Sequence, residues 1–434
     1  MNLEDFLDNP YASYAYSYPH KTAYRALAPP VALRDAWQSE NRDSLFLYFH
    51  VPYCEMRCGF CNLFTATDHR SRGEARYLET LARQAVRVRD ALRDASFSRM
   101  AIGGGTPTIL SPDELHRLFD IAEIFSVENV PVSVETSPGC ATPQKLQVLR
   151  ERGTTRISIG VQSWVESEVR AAGRAQRTVD VETALANIRA ANFPILNIDL
   201  MYGLPGQTVK SWLDSLRSAL RWTPEEIYLY PLYVRPLTGL ARRANGEEND
   251  IRLRCYRAAR ERLLNSGYRQ VSMRMFQSTK VAPETPLYCC QQDGMIGLGA
   301  GARSYTSRLH YSSEYAVGAS GVREILADYI ARDDESFDFA DYGFHLDADE
   351  QRRRYLIQSL LQAEGLNLEN YARRFGGAAL DDVPQLSELT RLELAELNEH
   401  FLRLNAAGLE RSDIIGPWLA SARVRSEMQS YALR

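Results

Sequence analysis

Short β-rich runs alternate with helical patterns over the first half of the chain, and this alternation constrains the fold more than any other feature. The β-rich runs are 44–51, 99–104, 132–136, 156–161, 195–203 and 226–234. The helical patterns are 73–95, 112–126, 143–151, 178–191 and 209–221. Strands that alternate with helices predict a parallel sheet with right-handed crossovers. Six such units are two fewer than a closed eightfold barrel requires, so we expect an α/β fold with a partial, open (β/α)6 barrel.

Capping signals support two of these helices. Ser111-Pro112-Asp113-Glu114 has the form of a capping box with proline at the first helical position. Thr142-Pro143 opens the next helix in a similar way.

Three domains are expected. Residues 1–40 form a tyrosine-rich N-terminal extension with five tyrosines between Tyr11 and Tyr24. Such a segment is too aromatic for a solvated leader, and it packs either on the outside of the barrel or across its open mouth. Residues 41–335 form the barrel. Residues 345–434 form a small α-rich C-terminal domain, with helical patterns at 348–363, 367–374 and 386–407, and with room for a wing.

Composition excludes several classes of protein. Hydrophobic residues make up 45% and charged residues 24%, the balance of an ordinary globular chain. The sequence has no apolar run long enough for a membrane span and no signal peptide, so we expect a cytoplasmic protein. The net charge is −4 with both signs interspersed, which does not favour nucleic-acid binding.

Three of the seven cysteines fall within eight residues, as Cys54-x3-Cys58-x2-Cys61. They are compatible with a zinc site that takes a distant fourth ligand, or with clustered core cysteines. The third interpretation is an iron–sulfur cluster held by three thiolates, which leaves one iron open for an exogenous ligand. An odd number of cysteines without an export signal argues against a disulfide framework.

Polar and glycine residues stand at the carboxyl ends of successive predicted strands, where ligands bind in such folds. The cysteine loop follows the first strand, and a triple-glycine turn, Gly103 to Gly105, followed by Thr106, ends the second. Glu135, Gln162 and Asp199 close the next three strands. Any one of them could be a structural cap, but their joint placement indicates an active site.

The motifs YFHVPYCEMRCGFC, GGGTPT, VSVETSP, GVQSW, GRAQ, NIDLMYGLPGQT and GLGAGARSY occur in this order. With them the chain resembles the radical S-adenosylmethionine (SAM) superfamily, in its oxygen-independent coproporphyrinogen III oxidase-like (HemN-like) branch. The resemblance extends from about Tyr48 to Tyr305. It implies that Cys54, Cys58 and Cys61 bind a [4Fe–4S] cluster that cleaves SAM to a 5′-deoxyadenosyl radical.

The resemblance also implies a set of cofactor-binding residues. Those for the first SAM molecule are Tyr48, Phe60, Gly104 and Glu135, of which Tyr48 also counts with the cysteines as catalytic. Those for a second SAM molecule are Gly105, Thr106, Gln162, Arg174 and Asp199. Further implied partners are a small-molecule or peptide substrate and a flavodoxin- or ferredoxin-type electron donor.

Within this branch, we expect radical carbon methylation of an organic substrate, with the second SAM molecule as methyl donor. The alternatives are tetrapyrrole oxidation or decarboxylation, and heme binding as a chaperone. Leu63 stands where the decarboxylase carries a further cysteine, and only Tyr288 remains of the chaperone motif HN-x-x-YW. Cys289 and Cys290 could donate a hydrogen atom or relay an electron, although two buried small side chains are the simpler interpretation. Arg303 could place a cation beside the substrate or be a structural arginine.

Overall fold

The fold is taken from a computed structural model, which describes residues 3–15, 17–67, 73–241, 250–282 and 294–433. Its strands in chain order are β1 (Arg25–Ala32), β2 (Leu45–Val51), β3 (Phe97–Gly104), β4 (Val132–Thr136), β5 (Thr154–Gln162), β6 (Ile195–Tyr202), β7 (Glu226–Pro231), β8 (Tyr268–Gln270), β9 (Met275–Ser278), β10 (Met295–Leu298), β11 (Arg303–Tyr305), β12 (Leu309–Ser312), β13 (Phe339–His345), β14 (Leu366–Asn367), β15 (Ala395–Leu397) and β16 (Phe401–Leu404).

Its helices in chain order are α1 (Leu33–Gln38), α2 (Gly73–Leu92), α3 (Pro112–Glu123), α4 (Pro143–Glu151), α5 (Glu166–Ala171), α6 (Thr178–Ala190), α7 (Val209–Leu220), α8 (Arg252–Asn265), α9 (Ala319–Ala331), α10 (Ala348–Leu360), α11 (Leu368–Phe375), α12 (Ala379–Asp382), α13 (Ser387–Arg391), α14 (Ala406–Leu409), α15 (Ser412–Trp418) and α16 (Ala422–Gln429). Short 3-10 turns connect several of these elements.

The main sheet has 13 strands in the order β1-β13-β12-β11-β10-β2-β3-β4-β5-β6-β7-β9-β8. The six predicted strands, β2 to β7, are consecutive neighbours and pair in parallel throughout. In the part of the chain that the structure describes, the sheet does not close, because β1 and β8 are its two ends. The predicted α/β fold with an open, partial barrel is therefore confirmed.

Two additions to the sheet were not predicted. β10 pairs in parallel with β2, so that Gly297 lies opposite Tyr48, and β11 to β13 and β1 continue the sheet antiparallel from there. On the other side, β9 pairs antiparallel with β7. The sheet is therefore mixed, with a parallel centre.

Burial explains why the central strands are so apolar. Six of the seven residues of β2 are buried, as expected for a parallel strand that is covered on both faces. The predicted capping box is present at α3, where the Ser111 hydroxyl accepts from the Glu114 amide and the Glu114 carboxylate accepts from the Ser111 amide.

A second hydrophobic core lies in the C-terminal region, and the N-terminal extension contributes to it. Leu3, Tyr18 and Tyr24 are buried there with residues such as Leu356 and Tyr371. Tyr11, in contrast, belongs to the core of the main sheet. The extension therefore packs against both parts of the protein.

The helix predicted over 386–407 is wrong. The chain forms α13, reverses at Glu393, whose φ of 56° lies in the left-handed region, and continues as the hairpin β15–β16. β14 pairs with β16, so that Leu366 lies opposite Leu402, and all three strands form a small sheet. Pairing between distant strands thus overrides the local helix propensity of a leucine- and glutamate-rich segment. Within the described ranges, no helix combines the length and the apolar character that a bilayer span requires.

Candidate active site

The cysteine loop connects β2 to α2 and is anchored at its start to the neighbouring strand end. The Thr106 amide, just beyond β3, donates to the carbonyl of Tyr53 over 2.7 Å. The amide of Cys54 donates to the carbonyl of Ala66 over 2.9 Å, which closes the loop on itself. Cys54, Cys58 and Cys61 are all reduced and partly exposed in this loop.

Two of the three thiols, those of Cys54 and Cys58, have different polar neighbours. Thr106 Oγ1 lies 3.6 Å from the sulfur of Cys54, and Arg174 Nη1 lies 3.3 Å from that of Cys58. Burial raises the pKa of the Cys54 thiol to about 12, with a smaller contribution from the neighbouring cysteines and against the opposing hydrogen bond from Thr106. Such thiols favour a positively charged ligand that displaces the proton, as iron does.

Among the described residues, no three His, Cys, Asp or Glu side chains are placed to hold one metal ion jointly. In a cubane cluster each thiolate binds a different iron, so these thiols need not converge on a point.

The middle of the loop is clamped at Gly59. Its amide donates to the carbonyl of Ala172 over 3.0 Å, and its carbonyl accepts from the amide of Leu240 over 2.8 Å. A Cβ at Gly59 would lie 2.7 Å from the Ala172 oxygen, so a side chain is excluded there. Phe60 packs beside Leu240 in a small apolar cluster. The loop is therefore positioned by segments that follow α5 and β7.

The triple-glycine turn forms a cradle beside the cysteine loop. A Cβ on Gly105 would lie 2.4 Å from the carbonyl oxygen of Tyr53 and 2.9 Å from the sulfur of Cys54. Gly104 has a φ of 116°, a conformation that favours glycine, and a Cβ there would lie 2.7 Å from the His50 ring. At both positions the neighbouring protein atoms leave no room for a side chain, so the backbone of the turn lies directly against the cysteine loop and the His50 ring.

Glu135 and Asp199 place two carboxyl groups in the same region. The Gly104 amide donates to Glu135 Oε2 over 3.1 Å. Burial, assisted by Asp199, raises the pKa of Glu135 to about 7. Burial likewise raises the pKa of Asp199 to about 6, although hydrogen bonds from Asn197 and Ser158 oppose the shift. A cation bound here would restore both carboxylates, which suits the amino group implied for the first SAM molecule.

Gln162 is held in an unusual conformation. Its φ is 70°, and the β5–β6 register shifts between Gly160 and Gln162. Its carbonyl oxygen Oε1 is buried and has no hydrogen-bond partner within the described residues. A strained residue with an unsatisfied acceptor is typical of a ligand site, and here a hydroxyl would satisfy it.

Arg174 contacts the cysteine loop directly, through the sulfur of Cys58. Nη2 donates to the carbonyl of Gly160 over 2.6 Å, and Nε donates to Gln176 Oε1 over 2.8 Å. With the contact to Cys58, each of its three nitrogen atoms has a partner in the protein. Binding a carboxylate of a second SAM molecule would use the remaining donors of the guanidinium.

A cavity joins the predicted residues to others that sequence reasoning missed. Tyr48, Gly104 and Glu135 line it. Arg303, expected either as a cation beside the substrate or as a structural arginine, is part of the wall, and the missed residues are His50, Lys21 and Tyr315. His50 lies in a strand-end motif and could have been singled out. Lys21 and Tyr315 carry no sequence signal, because only the fold brings them to the cavity.

His50 links several of these residues. Burial lowers its pKa to about 4, so the ring is neutral. Its Nε2 lies 3.0 Å from the carbonyl of Phe64 and donates to it, which leaves Nδ1 to accept from the Tyr48 hydroxyl over 3.4 Å. The His50 ring, with one nitrogen bonded to Phe64 and the other to Tyr48, therefore orients the Tyr48 hydroxyl.

The N-terminal extension crosses the carboxyl ends of β6 and β7. Tyr11 donates to the Tyr202 hydroxyl over 3.3 Å, and the Tyr14 ring lies 4.9 Å from that of Tyr233. Asp413 then accepts from the amide of Ala15 over 3.0 Å. Together with Lys21 in the cavity wall, these contacts place the extension at the mouth of the barrel. Cys289, Cys290 and Tyr288 lie outside the described residues.

Family models match two parts of the chain. The model of the radical SAM superfamily matches residues 48–219, and that of the HemN C-terminal domain matches residues 346–410. The cysteine loop and the strand ends described above lie in the first of these segments.

Two curated relatives match most of the chain. The heme chaperone HemW of Bacillus subtilis is 26% identical over 382 residues, 86% of this chain and 98% of that protein. The oxygen-independent coproporphyrinogen III oxidase of Pseudomonas aeruginosa is 28% identical over 407 residues, 89% of this chain and 84% of that protein.

A solved structure with the same fold is that of coproporphyrinogen III oxidase (HemN) from Escherichia coli. It matches with a TM-score of 0.78 over 99% of both chains, at 21% sequence identity. At this identity the likeness establishes the shared fold. The motifs, the domains and the fold agree: the chain carries a radical SAM domain and a HemN C-terminal domain, and it is similar in sequence to HemW and to oxygen-independent coproporphyrinogen III oxidases.

Proposed function

We propose that this protein is a SAM-cleaving radical enzyme that oxidises a tetrapyrrole. The observation that carries the proposal is the meeting of the cysteine loop, the glycine cradle and Glu135 at one edge of the sheet, where Gly105 leaves no room for a side chain beside Cys54. A [4Fe–4S] cluster bound by Cys54, Cys58 and Cys61 would supply an electron to SAM and thereby a 5′-deoxyadenosyl radical that abstracts a hydrogen atom from the substrate.

The residues of the chain have separate roles in this proposal. Glu135 binds the amino group of SAM, and the backbone of Gly104 approaches the same part of the cofactor. Phe60 and Tyr48 cover the adenine side. The N-terminal extension excludes water from the mouth of the barrel, as a reactive radical requires.

Support for a tetrapyrrole comes from the relatives, a HemN-type oxidase and a heme chaperone, and from the HemN C-terminal domain. They favour tetrapyrrole oxidation over the carbon methylation expected from the sequence. Leu63 lines the cavity at the place where the decarboxylase has a cysteine, so the substrate or its position differs from that of the oxidase.

The test is an anaerobic assay of the reconstituted protein with SAM, a reductant and coproporphyrinogen III. We expect 5′-deoxyadenosine formation that depends on the porphyrinogen, together with a product of lower mass. S-adenosylhomocysteine in the products would support methylation instead, and 5′-deoxyadenosine formation unaffected by any porphyrinogen would contradict the proposal.

A second candidate function is heme binding as a chaperone, favoured by the 98% coverage of HemW. Titration with heme distinguishes it, because a chaperone binds heme stoichiometrically without consuming it.

A second SAM molecule, held by Gly105, Thr106, Gln162, Arg174 and Asp199, also remains a proposal. A flavodoxin- or ferredoxin-type electron donor and a location in the cytoplasm are proposals as well.

A further inference from the structure

Two cations from distant parts of the chain stand in the wall of the active-site cavity. Lys21 belongs to a 3-10 turn, Lys21–Ala23, in the N-terminal extension, and Arg303 begins β11. Both line the same cavity as Tyr48, Gly104 and Glu135. Lys21 is one of four lysines among the 51 lysine and arginine residues of the chain, so the abundance of lysine does not explain why one stands here.

Lys21 is held in place by an aromatic ring. Its ammonium nitrogen lies 3.5 Å from the centroid of the Tyr315 ring, and the Tyr315 hydroxyl donates to the carbonyl of Asn62 over 3.0 Å. Asn62 directly follows Cys61, so this chain of contacts ties the ammonium to the cysteine loop. Arg303 is fixed from the same extension, since its Nη1 donates to the hydroxyl of Ser17 over 3.3 Å.

The two cations repel each other. Burial lowers the pKa of Lys21 well below its usual value, and Arg303 lowers it further. The same two cations also lower the pKa of His50, in addition to its burial. Among the described residues, no carboxylate forms an ion pair with Lys21, although Glu135 and Glu314 line the same cavity. A partly buried ammonium without an ion pair is costly and is retained where a ligand supplies the opposite charge.

We propose that Lys21 and Arg303 form a carboxylate-binding subsite of the active-site cavity. The subsite rests on the proposed function and adds to it a recognition element of this chain. A lysine supplies a point charge and an arginine a planar fork, which together fit one carboxylate. The carboxylate belongs either to an acidic side chain of the substrate or to the methionine part of SAM.

Binding measurements on the anaerobically reconstituted protein separate these sources. The probes are SAM, coproporphyrin III and the tetramethyl ester of coproporphyrin III, which lacks free carboxylates. The variants are Lys21→Met and Arg303→Gln, with Lys210→Met as the matched control, because the Lys210 side chain is 88% exposed on α7. We expect at least a tenfold weaker affinity for one of the two carboxylate probes in both cavity variants, and no change in the control.

The pattern identifies the ligand. Weaker porphyrin binding with unchanged SAM binding assigns the subsite to the substrate, and then the ester binds wild type and variants alike. Weaker SAM binding with unchanged porphyrin binding assigns it to the cofactor. Unchanged affinity for both probes overturns the subsite.

Folding and function are controlled separately. Lys21→Arg keeps the charge and should therefore keep most of the affinity that Lys21→Met loses, while the thermal unfolding of both variants stays unchanged. If Lys21 had a purely structural role, the two variants would not differ from each other in this way. If wild type binds SAM through Lys21 but binds no porphyrin, the subsite stands and the proposed tetrapyrrole substrate fails.

Discussion

The guanidinium of Arg174 donates a hydrogen bond to the sulfur of Cys58, with Nη1 3.3 Å from Sγ. The contact joins the segment after α5 to the cysteine loop, beside the clamp at Gly59. A positive donor at a cluster sulfur stabilises the more negative, reduced form of the cluster. With the proposed cluster bound, Arg174 would therefore act on the cluster through Cys58.

Arg174→Gln should make the midpoint potential of the cluster more negative, by on the order of tens of millivolts, because the charged donor to Cys58 is lost. An anaerobic redox titration monitored by electron paramagnetic resonance measures the shift. Arg177→Gln is the control, since Arg177 is 72% exposed and pairs with Asp180. An unchanged potential in Arg174→Gln would show that the sulfur contact has no electronic effect.

Gly105→Ala should reduce the iron and sulfide content of the reconstituted protein. The added methyl group would lie 2.4 Å from the Tyr53 oxygen and 2.9 Å from the Cys54 sulfur, so the loop must move. Iron analysis and absorbance near 400 nm report the loss. Gly153→Ala serves as the control, because its positive φ of 81° strains the backbone but no atom lies within 4 Å of the new Cβ. Equal iron content in the two variants would contradict the cradle.

Glu135 has a higher pKa in the folded protein, about 7, than its ordinary value of 4.5, because burial disfavours the carboxylate. The folded state therefore holds a proton that the unfolded state has lost between these values. It follows that this group lowers the free energy of unfolding as the pH rises from about 4.5 through about 7.

Glu135→Gln should then stabilise the protein without SAM at pH 8, by on the order of 2 kcal/mol, and have little effect at pH 5. Thermal unfolding at the two pH values measures the difference. SAM should bind the variant more weakly, because the amide cannot pair with its amino group. A variant that is destabilised equally at both pH values would indicate that Glu135 is merely a packing residue.

Asp413 holds the N-terminal extension over the barrel. It is fully buried, accepts from Ala15 and Tyr233, and pairs with Arg274 through both oxygens at 2.6 Å. Asp413→Asn leaves the buried Arg274 without its counter-charge, at a cost of about 3 kcal/mol.

We expect faster amide exchange at Ala15, a lower unfolding temperature, and more 5′-deoxyadenosine formed without substrate turnover, because water enters the site. Asp214→Asn removes an exposed ion pair of Lys210 and should do none of these. If exchange at Ala15 is unaffected in Asp413→Asn, the extension is held by other contacts and Asp413 does not control the mouth.

Features that depend on neighbouring residues in the sequence could be predicted. The central strands β2 to β7, the capping box at Ser111 and the cysteine loop all follow from local patterns. Glu135 and Asp199 could be placed near each other because parallel strands end at one edge of the sheet.

Features that depend on contacts between distant parts of the chain could not be predicted from the sequence. β11 has three residues and β10 four, too few for a periodic signal, and β15–β16 stands where a helix was predicted. Lys21 and Arg303 are far apart in the chain, and their meeting requires the extension to cross the mouth. The contact of Arg174 with Cys58 depends on the loop clamp at Gly59, which no motif encodes.

Above all, we propose that Cys54, Cys58 and Cys61 bind a cluster that cleaves SAM. The most direct measurement is 5′-deoxyadenosine formation by anaerobically reconstituted wild type and by the variant in which all three cysteines are replaced by Ala, with iron content determined in parallel. We expect about four irons and reductive SAM cleavage in the wild type, and neither in the triple variant, whereas Cys255→Ala, at a buried cysteine of α8, should retain both. SAM cleavage that persists in the triple variant would contradict the assignment of the cluster to these three cysteines.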